Sequence, residues 1–297
     1  MKTPGDARVS APAGDTAVGT ERPAAASHAS PEAPVGSAGE EPGGATGERG
    51  AKAARVRRMF SDIAPRYDLL NHLLSLNIDR LWRRAAARAL MDGAPRRLVL
   101  DACAGTLDLS LAIAARQDAG GRVVAADFAM PMLELGKGKI GAAAVREVAA
   151  DGLRLPFPDA TFDGASVAFG VRNLADADAG LRELARVLEP GGRLVVLEFS
   201  TPSFAPLAAL YRLYFHHVLP RIGALLSRHR EAYTYLPESV EDYPPPKAFA
   251  AMMRGAGFER VRWRRLSGGI ATLHAAEKRT HGAAGPAADS TSPEVHP

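Results

Sequence analysis

Three aspartates, Asp101, Asp127 and Asp151, each stand where a short apolar run gives way to small or polar residues. The first run, Arg97 to Ala102, holds Asp101 and continues into Cys103-Ala104-Gly105-Thr106-Leu107-Asp108. The second, Arg122 to Ala126, ends on Asp127, about twenty residues beyond that loop, as expected of an acid that takes two ribose hydroxyls. The third, Val145 to Ala149, leads into Ala150-Asp151-Gly152 and then Leu155-Pro156-Phe157. An acid there can accept from an adenine amino group while apolar side chains hold the ring's face; an ordinary turn acid is the alternative.

The loop after the first run separates two ligand classes. A dinucleotide needs bare backbone at a helix N-terminus for its pyrophosphate, hence G-x-G-x-x-G. Here Gly105 is the single glycine, and Asp108 would set negative charge beside a phosphate. S-adenosylmethionine has no phosphate and carries a sulfonium and an ammonium, which Asp101 and Asp108 suit electrostatically. The residues therefore favour a methyl donor over a nicotinamide cofactor. The bland alternative is a nucleotide fold in which they serve only turns.

Acceptor chemistry points to Phe169-Gly170-Val171-Arg172-Asn173. Arg172, with Asn173 beside it, follows the fourth strand-like run and would set a guanidinium at its carboxyl edge; a surface ion pair is the competing role. His274 is a candidate proton acceptor, since imidazole titrates near neutral pH, or else a packed core residue. Tyr67 is placed to cover the cleft from the N-terminal region, with core packing as its alternative. No metal site is implied. One cysteine, Cys103, rules out a cysteine-based zinc site or an internal disulfide, and the eight histidines have no metal-binding spacing.

Positioning these residues requires an alternation of strands and helices. Helices are predicted over Ala53 to Phe60, Asn71 to Met91, Thr106 to Arg116, Pro131 to Ile140 and Asp176 to Leu188. Strands are predicted over the three runs above, Phe162 to Phe169, and Arg193 to Phe199 after a Pro190-Gly191-Gly192 turn. A mostly helical insert reaches about Gly257, then Phe258 to Leu266 and Gly269 to Ala276 read as a closing hairpin. Nearly wholly apolar strands between helices mean a mostly parallel α/β sheet with helices on both faces.

Residues 1–50 and 281–297 are poor in large apolar side chains and are expected to be disordered tails around a single domain, 51–280. Basic and acidic residues number 37 and 33, too even a balance to imply nucleic acid. Met1 to Ser10 lacks the apolar core of a secretory signal, which points to the cytoplasm. The most apolar stretch, Phe204 to Leu226, is broken by Arg212, His216, His217, Pro220 and Arg221. It suits contact with a membrane surface rather than a span.

Longer segments then carry a resemblance. They are Met59 to Asp68 with Asn71, and Leu76 to Arg83 with Asp79 and Trp82. Further on come Leu155 to Pro158 with Phe162-Asp163, Phe169 to Asn173, and Arg186 to Gly192. Leu197 to Ser200, Tyr233 to Ser239, and Gly268 to Ile270 with His274 complete the set. From about Val56 to about Lys278 the chain resembles the ubiquinone/menaquinone biosynthesis C-methyltransferases.

The resemblance implies a class I methyltransferase-like Rossmann fold with a C-terminal antiparallel hairpin. It implies S-adenosyl-L-methionine as donor and a prenylated quinol as acceptor. Thr106, Asp127, Asp151 and Gly152 would contact the donor, with Asp101 and Gly105 supporting it. A transient membrane contact at the inner face of the cell membrane and a homodimer are compatible with it. A benzoquinol acceptor, another small or lipid acceptor, and a non-catalytic scaffold remain the alternatives. Leu107 departs from the family's usual Gly or Ala and is expected to crowd the methionine end of the donor. Ala168 replaces a frequent serine, a loss of one hydrogen bond, about 1 kcal/mol.

Overall fold

The computed structural model describes residues 43–75, 77–202, 204–214 and 230–280; the side chains of 43–46, 48–49, 65–66, 69–74 and 230–234 lie outside that description. Most of the expected N-terminal tail, the C-terminal tail 281–297, the apolar residues Phe215, Val218 and Leu219, and the side chains of Asn71 and Tyr233 therefore also lie outside it.

A seven-stranded sheet forms the frame. Its strands are β1 (Leu98–Ala102), β2 (Arg122–Asp127), β3 (Val145–Ala149), β4 (Phe162–Ala168), β5 (Leu188–Phe199), β6 (Phe258–Leu266) and β7 (Ala271–Lys278), in the order β3-β2-β1-β4-β5-β7-β6. The first five are parallel, and β7 runs antiparallel to both β5 and β6. The sequence-based expectation of a mostly parallel sheet ending in an antiparallel hairpin is met. β1 and β4 lie side by side at the centre, where the strand order reverses. In an open α/β sheet that is where a ligand crevice opens.

Both faces are covered, which is why the central strands read as unbroken apolar runs. Alternate residues of β5 show it: Leu194 and Val196 join one core cluster, Val195 and Leu197 the other. The first cluster packs against α5 (Ala177–Val187) and later helices. The second packs against α2 (Ile78–Met91) and α3 (Asp108–Ala114). Asp176 caps α5 by accepting the backbone N–H of Ala179 at 2.9 Å.

Two expectations are corrected. The helices predicted at Ala53 to Phe60 and Asn71 to Met91 are α1 (Gly43–Leu74) and α2, parted at Asn77 in the left-handed region, φ 61°. α1 begins inside the stretch read as unstructured and runs through Pro65, whose usual helix-breaking effect makes the pattern look like two pieces. Pro190-Gly191-Gly192 is no separate turn but an irregularity within β5. Phe162 pairs with Leu188 and Gly164 with Arg193, so the extra residues bulge out. Gly191 takes φ 78° there, which an L side chain rarely adopts.

Beyond β5 lie α6 (Ala205–Leu213), α7 (Arg230–Glu241) and α8 (Pro246–Gly255). The described part of the insert is mostly helical, with short non-helical stretches at 200–202 and 242–245. A short α4 (Met130–Lys137) follows β2.

Candidate active site

The carboxyl ends of β1, β2, β3 and β4 converge on one cleft, roofed by α1. Asp127, Asp151, Gly152, Gly105 and Asn173 all line it, and Phe60 and Tyr67 reach over it from α1. A smaller chamber opens from it at the tip of β1, lined by Arg83, Asp101, Thr106 and Asp108. The two share Tyr67, Cys103, Gly105 and Ala168. All six residues expected at the donor thus border the cleft or the adjoining chamber.

Local backbone shapes this space. Cys103 follows β1 with φ 53°, and Phe169 follows β4 with φ 58°. Non-glycine residues in the left-handed region store strain, and such residues gather at functional sites. The two turns interlock: a Cβ on Gly170 would stand 2.4 Å from the Cβ of Cys103. Only a glycine lets the β4 turn approach the β1 turn so closely.

Asp127 builds the loop as well as lining it. Its Oδ2 accepts the N–H of Gly105 and its Oδ1 that of Ala129, both at 2.8 Å. Burial pushes its carboxyl above the usual range, while the N–H groups of Ala129 and Gly105 work the other way. Each oxygen keeps a lone pair for a further donor. Asp151 is more open, and its Oδ1 accepts the N–H of Leu153 at 2.9 Å.

Asp101 lies deeper. It is 1% exposed and accepts the hydroxyls of Ser110 at 2.6 Å and Ser166 at 2.7 Å. Burial raises its carboxyl to about 6, against the pull of the two serines. Its role is to brace the floor of the chamber. Thr106 gives its hydroxyl to Asp68 of α1. Lys139 ties Asp68 to Asp108, approaching Asp108 at 2.8 Å, so the β1 loop and the roof are pinned together. Neither Asp68 nor Lys139 was singled out from sequence.

Leu107 does not crowd the cleft, contrary to expectation. It takes φ 68°, and its side chain is wholly buried against Gly136 of α4 and lines neither the cleft nor the chamber. A Cβ on Gly136 would stand 2.4 Å from the Cγ of Leu107.

Arg172 and Asn173 sit in a 3-10 turn after β4. Asn173 lines the cleft; its Nδ2 donates to the carbonyl of Phe169 at 3.1 Å, and its Oδ1 accepts the hydroxyl of Tyr235 at 3.1 Å. Arg172 lines the neighbouring groove between α1 and α7, which meets the cleft at Leu174 and Ala175. Its Nη1 donates to Glu198, with which it forms a buried ion pair, and to the carbonyl of Phe169 at 2.7 Å. Its guanidinium lies 5.3 Å from the centre of the Phe199 ring. The Nε of Arg172 and the hydroxyl of Tyr243 are buried without a hydrogen-bond partner among the described residues. Burial pushes Glu198 up, with Arg172 the chief opposing influence. Glu198 ends β5 beside the site, and a carboxylate at the tip of an apolar strand was the signal that could have found it.

His274 is elsewhere. It is fully buried on β7, between the rings of Phe249 and Trp263, and its Nε2 is 3.0 Å from the carbonyl of Pro246. Burial drops it to about 4. It lines neither the cleft nor the groove, so the expectation of a catalytic base is corrected to a neutral core residue.

The cleft's chemistry fits a phosphate-free, cationic nucleoside. It offers two carboxylates at successive strand tips, apolar walls from Phe128, Met132 and Leu155, and close backbone at Gly105 and Gly152. Among the described residues, no group of three or more metal-ligating side chains occurs.

Comparison with known proteins agrees with this geometry. The ubiE/COQ5 methyltransferase family matches residues 48–278. A demethylmenaquinone methyltransferase of Deinococcus radiodurans is 51% identical, over 78% of this chain and 96% of its own length. Another of that name from Thermus thermophilus is 51% identical, over 74% of this chain and all of its own. A ubiquinone/menaquinone biosynthesis C-methyltransferase of Geotalea daltonii is 45% identical, over 76% and 97%. Among solved structures, an S-adenosylmethionine-dependent methyltransferase of Thermotoga maritima superposes with a TM-score of 0.54 at 18% identity, covering 75% of this chain and all of the other. That likeness concerns the fold, which is the class I methyltransferase fold.

Proposed function

Since this chain belongs to the ubiE/COQ5 methyltransferase family, we propose that it transfers a methyl group from S-adenosylmethionine to a ring carbon of demethylmenaquinol, completing menaquinol. The observation that carries this reading is the junction at Leu174 and Ala175, where the two-carboxylate cleft meets the groove holding Arg172. Donor and acceptor sites then touch at the Arg172–Asn173 turn.

The donor, when bound, supplies a methyl group on a positively charged sulfur. Asp127 and Asp151 hold the nucleoside end by accepting hydrogen bonds. Asp101 and Asp108 put negative charge near the cationic end. Tyr67 and Phe60 close over it and exclude water. A quinol carbon becomes nucleophilic as its neighbouring hydroxyl, a phenol with a pKa near 10, gives up its proton to solvent. Arg172 stabilises the resulting phenolate, and Asn173, held by Tyr235 and the Phe169 carbonyl, fixes the turn that presents it. Once methylated, the ring carbon releases its hydrogen as a proton and the oxygen regains one, so that one proton leaves overall. Positioning and electrostatics supply the catalysis. The burial of Leu107 in the core supports the catalytic reading over a non-catalytic scaffold.

The prenyl tail calls for work at a membrane surface, from the cytoplasmic side. α6 supports this with Leu210 and Leu213 exposed, and Phe204 exposed just before it. No helix among the described residues is long and apolar enough to cross a membrane.

The test is deletion in a host that makes only one quinone, with mass analysis of the quinone pool. A precursor lacking one methyl is expected, and an unchanged pool would sink the assignment. Feeding purified enzyme a naphthoquinol and a benzoquinol in parallel decides the acceptor. In the same preparation Asp127→Ala should weaken donor binding about tenfold or more; near-normal affinity would remove Asp127 from the site.

A further inference from the structure

Arg83 is a buried cation in a chamber whose other charged lining residues are the carboxylates Asp101 and Asp108. It sits on α2, 8% exposed, and lines the chamber with Asp101, Thr106, Asp108 and Ala168. Its Nη1 donates to Asp79, four residues earlier on the same helix. Asp79 is itself held by the hydroxyl of Ser75 at 2.6 Å. The guanidinium carbon lies over the ring of Phe169, 5.4 Å from its centre. Trp82, the preceding residue, donates from Nε1 to the hydroxyl of Ser267 at 2.9 Å and fixes this turn of α2 against the hairpin.

An arginine held on one edge by a carboxylate and on one face by a ring is rigid. Its fork still has donors to give. Nε and Nη2 of Arg83 donate to no described residue, yet the side chain borders an open space. Burying a charge is costly, and a guanidinium so prepared suits a second planar anion that would take the remaining N–H groups side by side.

The chamber continues the donor cleft. With the nucleoside end at Asp127 and Asp151, the amino-acid end of the donor reaches the tip of β1. That end is a zwitterion. The carboxylates of the chamber, Asp101 and Asp108, match its ammonium and leave its carboxylate without a partner, except for Arg83.

We propose that Arg83 binds the carboxylate of the methyl donor's amino-acid end, with Asp79 and the Phe169 ring holding the guanidinium in place. The proposal rests on the reading of the cleft as the donor site. It adds a binding residue from α2, an element that precedes the nucleotide-binding sheet in the chain. It also makes Phe169 a shared support, carrying Arg83 on its ring and Arg172 on its carbonyl.

Calorimetry of the full chain with two ligands tests it: S-adenosylmethionine, and decarboxylated S-adenosylmethionine, which keeps the nucleoside and the sulfonium but lacks the carboxylate. The wild-type chain should prefer the intact donor by about tenfold or more. In Arg83→Met/Asp79→Asn, which removes both charges together, that preference should vanish while affinity for the decarboxylated ligand stays within about twofold. Arg83→Gln, whose amide can still donate to Asp79, should behave alike and decides the matter if the double variant does not fold. A variant that keeps the preference, or that loses affinity equally for both ligands, overturns the role of Arg83. A wild-type chain that binds both ligands equally overturns it too, while one that binds neither overturns the donor site itself.

Discussion

The hydroxyl of Tyr235 donates to Oδ1 of Asn173 at 3.1 Å, joining α7 to the turn after β4 across 62 residues of sequence. Asn173 spends its other end on the carbonyl of Phe169, so the two bonds fix the amide completely. Tyr235→Phe removes one hydrogen bond, about 1 kcal/mol, a factor of about five. We expect kcat to fall by about that factor with donor affinity unchanged, because the Asp127 end of the cleft is untouched. Calorimetry beside steady-state kinetics checks this. An equal loss of donor affinity would place Tyr235 in the donor site instead.

Asp101 trades stability for charge. Its carboxyl rises from 3.8 to about 6 through burial. The folded chain therefore holds that proton more tightly than the unfolded chain. The stability this gives is complete below 3.8 and is lost as pH rises through about 6. At neutral pH the ionised group costs about 2–3 kcal/mol. Asp101→Asn should raise the melting temperature above pH 6 by several degrees, an advantage that fades toward pH 4. It should weaken donor binding at the same time. A melting temperature that does not rise at pH 7 would show that the two serines already compensate the charge.

Asp127 and Asp151 were legible because each belongs to a local pattern, an apolar run closed by an acid near small residues. The mostly parallel sheet followed from the same alternation of strands and helices, whereas the spatial order of its strands did not. The partners of those residues were not legible. Asp68 meets Thr106, Tyr235 meets Asn173 and Glu198 meets Arg172 only after distant segments pack. His274 went the other way: its type suggested chemistry, with a packed core residue as the alternative, and its burial against Phe249 and Trp263 favours the alternative. Direction was equally hidden at Leu107, whose side chain packs against Gly136 and does not line the cleft.

Leu107 gives a direct test of that last point. Leu107→Ala should cost about 2–5 kcal/mol of stability by emptying a buried site against Gly136. Donor affinity should stay within about twofold. Gly136→Ala should destabilise from the other side, by about 1–3 kcal/mol, because the new methyl meets Leu107. A clear gain of donor affinity in Leu107→Ala would restore the leucine to the ligand space.

For His274 the prediction concerns acid. Burial lowers it from 6.5 to about 4, so the unfolded chain binds a proton more readily than the folded one. The resulting stability is present above 6.5 and is lost as pH falls through about 4. His274→Leu should lower neutral stability by about 1 kcal/mol, for the bond to Pro246, yet flatten the acid side of the stability curve. The pH dependence of kcat should match that of the wild type. Loss of an ionisation from that profile would return His274 to catalysis.

Arg172 needs a pair of variants, because its loss has two effects. Glu198 is fully buried and faces Arg172, with the backbone N–H of Phe199 at 3.0 Å as its other close donor. Arg172→Ala leaves that carboxylate uncompensated, a loss of about 3–5 kcal/mol. Lower activity in that variant would then mix unfolding with chemistry. Replacing both charges, Arg172→Met with Glu198→Gln, removes the buried imbalance and should recover most of the melting temperature. Turnover should stay low, because the groove no longer holds the buried guanidinium that stabilises the phenolate. Donor affinity should remain close to that of the wild type, since Asp127, Asp151 and Gly105 are unchanged. A double variant that regains both fold and turnover would reduce Arg172 to a structural partner of Glu198, and the stabilisation of the acceptor oxygen would have to come from another side chain of the groove, with Tyr243 and Arg55 the next to test.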